Sequence, residues 1–574
     1  MKNSLLKTIL FVLTMLMLFS FALQKQTKLF KFKPLNGVFY PAPEPNLSFD
    51  AYRTGQYQAQ VEPFLKENIG FREPLIRLYN QYLFDFYKKT FNNDIIFGKD
   101  HWLYFIQHVN EYYGTEIYRW YDSWEEARAK YDIEAKRMMK LRGVLKDYGV
   151  EFFVFMAPQK GFLYPEHLPN RVKDTTTVSA REYFSAKFDE YDFPYIEMTK
   201  WFQSVKEADT LPYLLFPETG AHWSFSAAWA TDSLMRFMGA LKGIELPKLH
   251  YGPLRECSES TKEEFYDIEG LANLMRPIPH KERLVESEVT YTVDSTTTLP
   301  SALFVGTSFL MQMYHYIPFS EVFPGSQYWY YNSTVYYGDG YKRMTHVPNL
   351  DVLQSLLDAD YVVWFTEGDQ MCKASFNFVE MALLYLCIDE EERDLARQRL
   401  IDSLGNDPDY MKQHEGLAGL ELENALWNKA DGMLFLYPER YFPELAGDSI
   451  PTARNSRIPE ALIIKDIKQD SAWMMNLRCQ TVIHNTDLDE ILSMEAQNVL
   501  NGRPLMRDEQ NVVSRQTIVE SLVREMEDEI RGNAQLMESI REKAAANGIS
   551  VEEQIHADAA WIINYQIEQG EIKF

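Results

Sequence analysis

Cysteine and positive charge are both scarce in this chain. Its 574 residues include four cysteines, at 257, 372, 387 and 479, and none of them forms a Cys-x-x-Cys pair. This spacing argues against a zinc ribbon, an iron–sulfur site or a disulfide scaffold. Lysine and arginine number 58 against 83 aspartates and glutamates, for a net charge of −25. We therefore expect no nucleic-acid partner, because a phosphate-binding surface is basic.

Cofactor motifs are missing as well. The sequence contains no P-loop, no Gly-x-Gly-x-x-Gly dinucleotide motif, no His-Glu-x-x-His and no EF-hand loop. We therefore expect neither a metal nor a nucleotide cofactor. What is present is a globular composition, 46% hydrophobic and 14% aromatic, in a chain long enough for about three or four structural units.

The longest apolar run lies near the N-terminus. Residues 9–23 carry no charge, and two lysines precede them while four follow. A helix over this run spans about 22 Å, short of a hydrocarbon core of about 30 Å unless it begins at Leu5. We predict a signal-anchor over residues 1–24, with a signal peptide cleaved after Ala22 or a buried helix as alternatives. Anchor and signal both export the body, although the lysine distribution by itself favours the opposite orientation.

The rest of the chain divides by composition. Several prolines mark residues 25–46 as a linker. Residues 47–115 are predicted to form an N-terminal subdomain, in which 56–89 show helical spacing of apolar residues. Residues 116–388 are predicted to form an α/β domain, and residues 389–574 a charged helical accessory module.

Three short apolar runs predict buried parallel strands, at residues 150–157, 302–305 and 360–365. A helix from Ser123, whose Ser-Trp-Glu-Glu sequence predicts a capping box, precedes the first run. Alternating helices and strands predict a sheet with helices on its faces. Such sheets bind ligands beyond the carboxyl ends of their strands.

The C-terminal region contains an internal repeat. Asp487 corresponds to Ser550 as a predicted N-cap, and Leu492 corresponds to Ile555 as an apolar position. The repeat predicts two similar helical hairpins, which are too few for a solenoid. We expect them to serve structural packing, with docking of a partner as the alternative.

One serine and one histidine lie where catalysis would need them. The run at 302–305 leads into Gly306-Thr307-Ser308-Phe309, which places a serine on the turn between a strand and a helix. A nucleophile suits this turn, although such a serine is more often only a helix cap. His222 carries an imidazole that can take the serine proton and return it to a leaving group. An isolated histidine is more often a packed core residue, but the pair predicts Ser308 as nucleophile and His222 as general base and acid.

Four stretches resemble blocks of the SGNH-like alginate O-acetyltransferase family, the AlgX/AlgJ type of exported polysaccharide acetylases. They occur in the family's order, at residues 98–104, 158–166, 222–223 and 306–309. The resemblance implies an SGNH-hydrolase-like three-layer α/β/α domain, with the N-terminal membrane segment and the helical module outside it. It also implies a polysaccharide substrate, a membrane-bound O-acyltransferase as the acyl donor partner, and a periplasmic protein anchored to the inner membrane.

One position departs from the family pattern. The family carries aspartate two residues before the histidine, where this chain has Gly220. Either His222 works without an orienting acid, or another carboxylate takes that place. We rank Glu367 first, Asp369 second and Glu218 third, because the first two follow a predicted strand.

The missing aspartate leaves alternatives open. Losing the orienting acid of a triad lowers the rate by about 10⁴-fold. A non-catalytic carbohydrate-binding or assembly protein is therefore one alternative, and a carbohydrate esterase of the same fold is another. The favoured prediction is an O-acetyltransferase that carries an acetyl group on Ser308 and passes it to a polysaccharide hydroxyl.

Sugar binding is predicted for four side chains in or beside these blocks: Lys160, Tyr164, Trp223 and Thr307. An amine, a phenol, an indole and a hydroxyl can each hydrogen-bond a sugar hydroxyl or pack on a sugar face. For Lys160 and Tyr164 the alternatives are an ordinary surface lysine and a half-buried tyrosine.

Overall fold

The structure is a computed structural model that describes residues 2–37, 42–208, 213–257, 266–279, 284–337, 340–373, 375–414, 416–484, 486–503, 505–506, 515–568 and 572. Its strands are β1 (Ile95–Phe97), β2 (Leu103–Phe105), β3 (Glu151–Ala157), β4 (Tyr195–Glu197), β5 (Lys248–Tyr251), β6 (Arg255–Cys257), β7 (Leu284–Glu286), β8 (Val289–Thr292), β9 (Ala302–Gly306), β10 (Gln327–Tyr330), β11 (Thr334–Tyr337), β12 (Gly340–His346) and β13 (Tyr361–Glu367).

Helices occupy both ends of the chain and alternate with strands in its middle. The first fifteen are α1 (Lys2–Thr27), α2 (Phe49–Thr54), α3 (Gln56–Glu67), α4 (Arg72–Tyr87), α5 (Ile106–Tyr113), α6 (Trp124–Lys146), α7 (Lys160–Leu163), α8 (Ala180–Tyr191), α9 (Met198–Glu207), α10 (Ser226–Lys242), α11 (Asp267–Ala272), α12 (Phe309–Met313), α13 (Phe319–Val322), α14 (Val352–Asp358) and α15 (Phe378–Cys387). The C-terminal helices are α16 (Glu390–Gly405), α17 (Pro408–Gln413), α18 (Leu420–Leu436), α19 (Ile458–Gln469), α20 (Ser471–His484), α21 (Leu488–Leu500), α22 (Arg515–Gly532), α23 (Ala534–Asn547) and α24 (Val551–Glu568).

A seven-stranded sheet forms the centre of the middle region, in the order β12-β11-β10-β9-β13-β3-β4. The five strands from β10 to β4 are parallel, while β11 and β12 extend one edge antiparallel. The central strand β13 pairs with β3 on one side and β9 on the other, so that Trp364 lies opposite both Val154 and Val305. The three strands predicted from apolar runs are therefore confirmed, and their carboxyl ends share one edge.

The sheet separates two layers of helices. Alternate strand residues point to opposite faces, so that Val154 and Met156 pack with α6, α8, α14 and α15, whereas Phe153 and Phe155 pack with α10, α12 and α13. This confirms the predicted three-layer α/β/α fold. The fold brings loops that follow β3, β9 and β13 to one edge of the sheet, where sites in such folds form.

The N-terminus of α6 differs from its prediction in one detail. Ser123 Oγ accepts a hydrogen bond from the Glu126 amide at 3.2 Å, as an N-cap should. The carboxylate of Glu126 accepts from the Asp122 amide rather than from that of Ser123. The predicted capping box is therefore only half formed, because the glutamate bonds one residue further back.

The N-terminal helix α1 is long and apolar enough to cross a membrane over Lys7–Thr27. A signal sequence near the N-terminus meets the same test of length and composition. Length and composition therefore do not distinguish a cleaved signal peptide from a membrane anchor.

The C-terminal region is helical, and its predicted N-caps are confirmed. Asp487 Oδ1 accepts from the Glu490 amide at 2.7 Å, and Ser550 Oγ accepts from the Glu553 amide at 3.1 Å. Side chains from the start of this region, including Leu434 and Phe442, join the core on the α6 side of the sheet. The domain boundaries given above stay predictions.

Candidate active site

The turn after β9 holds Ser308 at the edge of the sheet. A Cβ atom on Gly306 would collide with the carbonyl oxygen of Phe365 on the neighbouring strand, so that only glycine allows the two strands to approach this closely. The Thr307 amide donates to the same carbonyl at 3.1 Å, and Tyr328 Oη donates to the Thr307 carbonyl at 2.6 Å. Ser308 is half-buried, whereas its two neighbours are buried. The turn is rigid and presents one hydroxyl.

His222 lies against this hydroxyl. Its Nε2 atom is 2.7 Å from Ser308 Oγ, and its ring packs on Phe309 with centroids 5.0 Å apart. The adjacent Trp223 is fully buried and donates its indole N–H to the Phe309 carbonyl at 3.2 Å. The structure therefore brings together the two residues that the sequence predicted as nucleophile and base, across 86 positions of the chain.

A third residue completes the arrangement. Asp267, the first residue of α11, places Oδ2 at 2.6 Å from His222 Nδ1. Its other oxygen accepts from the amides of Ala221 at 2.7 Å and Ile268 at 2.8 Å. These two bonds fix the carboxylate plane relative to the imidazole. Ser308, His222 and Asp267 have the geometry of a nucleophile–base–acid triad.

The ionisation of Asp267 suits that position. Burial by itself would raise its pKa, but the nearby His222 and the two backbone N–H groups stabilise the carboxylate more strongly, and the net result is a pKa below its ordinary range. Asp267 is therefore ionised at neutral pH. An ionised acid keeps the proton of His222 on Nδ1 and leaves Nε2 free to accept one from Ser308.

Asp267, rather than Glu367 or Glu218 of the three carboxylates ranked from the sequence, holds the orienting position at His222 Nδ1. Glu367 is buried and accepts a hydrogen bond from the Thr307 hydroxyl, so that it supports the turn rather than the imidazole. Glu218 contributes its backbone carbonyl, which accepts from Lys160 Nζ at 2.8 Å. The side chain of Asp369 lies outside the described residues. Sequence reasoning missed Asp267 because it begins a short helix in an acid-rich stretch that has no periodic pattern.

The four residues predicted to bind sugar are a second correction. Lys160, Tyr164, Trp223 and Thr307 are all buried, and each forms hydrogen bonds with other parts of the protein. Tyr164 Oη accepts from the Leu215 amide at 2.9 Å. The Trp223 indole donates to the Phe309 carbonyl, and the Thr307 hydroxyl donates to Glu367. A substrate cannot reach side chains enclosed in this way. These residues instead pack behind the site and support it.

Lys160 shows what the buried residues do. Its ammonium donates to the carbonyls of Leu103, Glu218 and Gly220 at 2.7 to 2.8 Å, and it lies 5.0 Å from the ring centres of Trp102 and Tyr104. Gly220 precedes His222 by two residues. The lysine therefore ties strand β2 to the loop that carries His222.

Replacing Lys160 with methionine should destabilise this loop. Methionine keeps the stem but leaves the buried carbonyls of Leu103 and Gly220 without this donor, whereas the Glu218 carbonyl still accepts from the Leu103 amide at 2.9 Å. Each unpaired buried acceptor costs about 1–3 kcal/mol. We expect the unfolding free energy to fall by about 2 kcal/mol or more and acyl transfer to fall with it, measured by chemical denaturation and by turnover. Lys99→Met is the matched control, since Lys99 is exposed and donates one long bond, of 3.3 Å, to the Glu166 carbonyl. Equal stability of the two variants would contradict the role given to Lys160.

A second buried histidine lies near the site. His108, in α5, is 3% exposed, and its Nδ1 has no hydrogen-bond partner among the described groups. Burial, and then the positive charges of Lys160 and His222, lower its pKa to about 3, against an opposing effect of Asp267. His108 is therefore neutral at physiological pH, and the imidazole in contact with Ser308 is that of His222.

A cavity of about 750 Å³ borders Asp267. Its lining combines cationic and anionic side chains: Lys33, Arg77, Asp267, Glu269 and Arg276. Among the residues that the structure describes, no group of three or more histidine, cysteine, aspartate or glutamate side chains is arranged to hold a metal ion.

The comparison with known families agrees with the fold. Residues 95–319 match the family described as SGNH hydrolase-like domain, acetyltransferase AlgX. The matched range includes all three members of the Ser308–His222–Asp267 group and all four motif blocks. The resemblance inferred from those blocks is therefore confirmed over this range. Comparison with curated proteins finds no match.

Solved structures give weaker likenesses. The O-acetyltransferase domain of Pseudomonas putida AlgJ is 12% identical, with 48% of this chain and 92% of that chain covered and a TM-score of 0.32. Pseudomonas aeruginosa AlgX is 14% identical, with 51% of this chain and 67% of that chain covered and a TM-score of 0.30. Bacillus cereus PatB1 is 14% identical, with 44% of this chain and 92% of that chain covered and a TM-score of 0.26.

Proposed function

We propose that the SGNH hydrolase-like domain, which matches the AlgX acetyltransferase family over residues 95–319, is an O-acetyltransferase that acts through an acyl-enzyme on Ser308. The observation that carries the proposal is the continuous hydrogen-bonded line from Asp267 through His222 to Ser308, with contacts of 2.6 and 2.7 Å. An acetyl group is the expected acyl group, and a hydroxyl of an exported polysaccharide is the expected acceptor.

The first half of the reaction loads the serine. Ser308 Oγ attacks the carbonyl carbon of the acyl donor while His222 Nε2 takes the hydroxyl proton. Asp267 stabilises the imidazolium that forms. The tetrahedral intermediate collapses, the bond to the donor breaks, and His222 returns the proton to the leaving group. Ser308 then carries an ester.

The second half transfers the acyl group to the acceptor. A sugar hydroxyl takes the place of the departed donor, and His222 Nε2 removes its proton as the oxygen attacks the Ser308 ester. Collapse of the second intermediate releases the O-acylated sugar and returns the proton to Ser308 Oγ. Ser308 and His222 are both half-buried between buried neighbours, so neither residue is fully enclosed by the protein.

Asp267 also bears on the non-catalytic alternative. That alternative depended on the aspartate missing at Gly220. Asp267 supplies a carboxylate to the same imidazole nitrogen from another part of the chain. A binding or assembly protein would have no need of an ionised carboxylate held at 2.6 Å from a histidine that in turn contacts a serine.

Export, anchoring through α1 and an acyl donor protein in the membrane belong to the same proposal. They are supported by the helix at Lys7–Thr27 and by the resemblance to exported acetylases. The body of the protein has no other described helix of sufficient length and hydropathy to cross a membrane.

Trapping the acyl-enzyme tests the proposal. The full chain, purified in detergent, is mixed with a chromogenic acetyl ester, quenched rapidly and analysed by mass spectrometry. We expect one added acetyl group, located on the peptide that contains Ser308, and its transfer to an added oligosaccharide. Acetyl lost only to water, with oligosaccharide present, would indicate an esterase instead.

A matched serine controls for chemical acetylation. Ser320 is half-buried and lies in the same domain, so Ser320→Ala should retain the adduct that Ser308→Ala loses. An adduct that persists without the Ser308 hydroxyl would contradict the acyl-enzyme.

A further inference from the structure

Helix α4 has its apolar face outward. The helix period places Leu75, Leu78, Tyr79, Tyr82 and Phe86 within a stripe roughly 100° wide. These five side chains are 37% to 73% exposed. In a globular protein such a stripe normally faces the core. Here it lies on the surface of the described structure.

The opposite face of α4 is buried and carries Phe84 together with two polar residues, Asn80 and Gln81. Asn80 Nδ2 donates to the Ala272 carbonyl at 2.9 Å, and Gln81 Oε1 accepts from the Arg276 amide at 3.0 Å. Ala272 is the last residue of α11, whose first residue is Asp267. The orientation of α4 is therefore held by specific hydrogen bonds, and the exposed stripe is rigidly connected to the helix that carries the catalytic acid.

The exposed rings contact each other rather than the body. The centroid of Tyr82 lies 5.0 Å from that of Phe86 and 6.0 Å from that of Tyr87. Tyr87 and Phe91 are 59% and 76% exposed and continue the aromatic surface beyond the helix. A contiguous apolar patch of this kind marks an interaction surface rather than ordinary scattered exposure.

The position of α4 indicates what covers it. Phe71, which precedes α4, lies 6.0 Å from Phe21 near the end of α1. Asn68 accepts from Lys25 Nζ at 2.5 Å, and Arg77 donates to the carbonyls of Lys33 and Pro34. The stripe thus begins where the chain leaves α1, at the level where a bilayer crossed by α1 would end.

The composition of this region favours lipid over protein. Tyrosine is enriched at the boundary between the hydrocarbon and the headgroups, and phenylalanine and leucine are typical of the apolar face of helices that lie in this interface. Exposed lysines surround the stripe: Lys25, Lys28, Lys31, Lys33, Lys88 and Lys89. In a chain of net charge −25, a local cluster of lysines suits anionic headgroups.

We propose that the outward stripe of α4 inserts into the headgroup region of the membrane crossed by α1, and so sets the height and tilt of the Asp267 helix above the bilayer. The proposal rests on the anchoring part of the proposed function but not on its chemistry. A single membrane helix leaves the body free to rotate, whereas a second contact through α4 gives the site one orientation toward the membrane surface.

Spin-label accessibility in lipid nanodiscs tests whether the α4 stripe inserts into the headgroup region. The full chain is reconstituted in discs that contain anionic phosphatidylglycerol, and a nitroxide is attached after Tyr79→Cys or Phe86→Cys, with the unsubstituted chain measured in parallel. We expect collisions with apolar oxygen to exceed those with a water-soluble nickel chelate at both positions. Trp561→Cys is the control, since Trp561 is 60% exposed on α24 and should show the reverse ratio.

Accessibility to the nickel chelate at positions 79 and 86 equal to that at position 561, in discs that contain no other membrane protein, would overturn the proposal. If the same two positions were then protected in native membranes, the stripe would be assigned to a partner protein in the membrane rather than to lipid. The variant Leu78→Glu with Phe86→Glu should lose lipid contact at position 79 at an unchanged unfolding temperature, since neither side chain is buried. A serine that fails to acylate would leave this result intact, so the two proposals fail separately.

Discussion

Asp267→Asn should lower the rate of acyl transfer by about 10⁴-fold with little change in structure. The side-chain oxygen of asparagine can still accept hydrogen bonds from the Ala221 and Ile268 amides. Its amide nitrogen then faces His222 Nδ1 and donates to it, which places the imidazole proton on Nε2. A protonated Nε2 cannot accept the proton of Ser308. Turnover of a chromogenic acetyl ester and transfer to an oligosaccharide measure the loss.

Glu367→Gln is the matched comparison for this prediction. Glu367 is a buried carboxylate at the same edge of the sheet, and it accepts from the Thr307 hydroxyl. Glutamine retains an acceptor for that hydroxyl, so we expect a change of only a few-fold. A loss at Glu367 as large as that at Asp267 would return the orienting role to the residue ranked first from the sequence.

The pH dependence of stability gives a second test of Asp267→Asn. A carboxyl whose pKa is depressed in the folded state stabilises the fold above its unfolded pKa, and this contribution is lost as pH falls through the folded value. The pKa of Asp267 is lowered by its contact with His222 and by two amides, against the effect of burial. Asp267→Asn should therefore cost stability at neutral pH and progressively less as the solution is acidified. Denaturation at several pH values tests this sign.

Ser308→Ala should abolish acyl transfer, with a loss on the order of 10⁴ to 10⁶-fold, and His222→Ala should be about as severe. Each substitution removes one member of a unit in which Nε2 and Oγ lie 2.7 Å apart. The double variant should be little worse than either single variant, because the second residue has nothing left to act on. Steady-state kinetics of the three variants measure the coupling.

Additivity would contradict the shared step. If the losses of the Ser308 and His222 variants multiply, the two residues act separately and the acyl-enzyme mechanism fails. Ser320→Ala should retain full turnover and exclude a general effect of removing a hydroxyl from this domain.

Much of the fold was predictable because its signals are local. The runs at 150–157, 302–305 and 360–365 are apolar over the length of a buried strand, and β3, β9 and β13 occupy them. The turn after β9 needs a glycine beside a serine, and that requirement is visible in four consecutive residues. His222 and Ser308 were also found from local context, since each lies in a short motif that ends an element.

The same local signals misassigned the residues around the site. Lys160, Tyr164, Trp223 and Thr307 have side chains that suit sugar binding, but side-chain chemistry does not reveal burial. The ammonium of Lys160 found three carbonyls from two distant segments of the chain, an arrangement that exists only after folding.

The amino-acid sequence by itself determined the strands, the order of the motifs and the choice of Ser308 and His222 as the candidate pair, because periodicity and turn chemistry act over a few neighbouring residues. The tertiary structure decided which acid serves His222 and which way α4 faces. Asp267 is one of many carboxylates in the chain, and only the packing of α11 brings it within 2.6 Å of the imidazole. Helix α4 has an apolar stripe that any core would accept, and that stripe faces outward because the hydrogen bonds of Asn80 and Gln81 and the packing of Phe84 hold the other face against the body. Both outcomes depend on contacts between segments far apart along the chain, which local patterns do not encode.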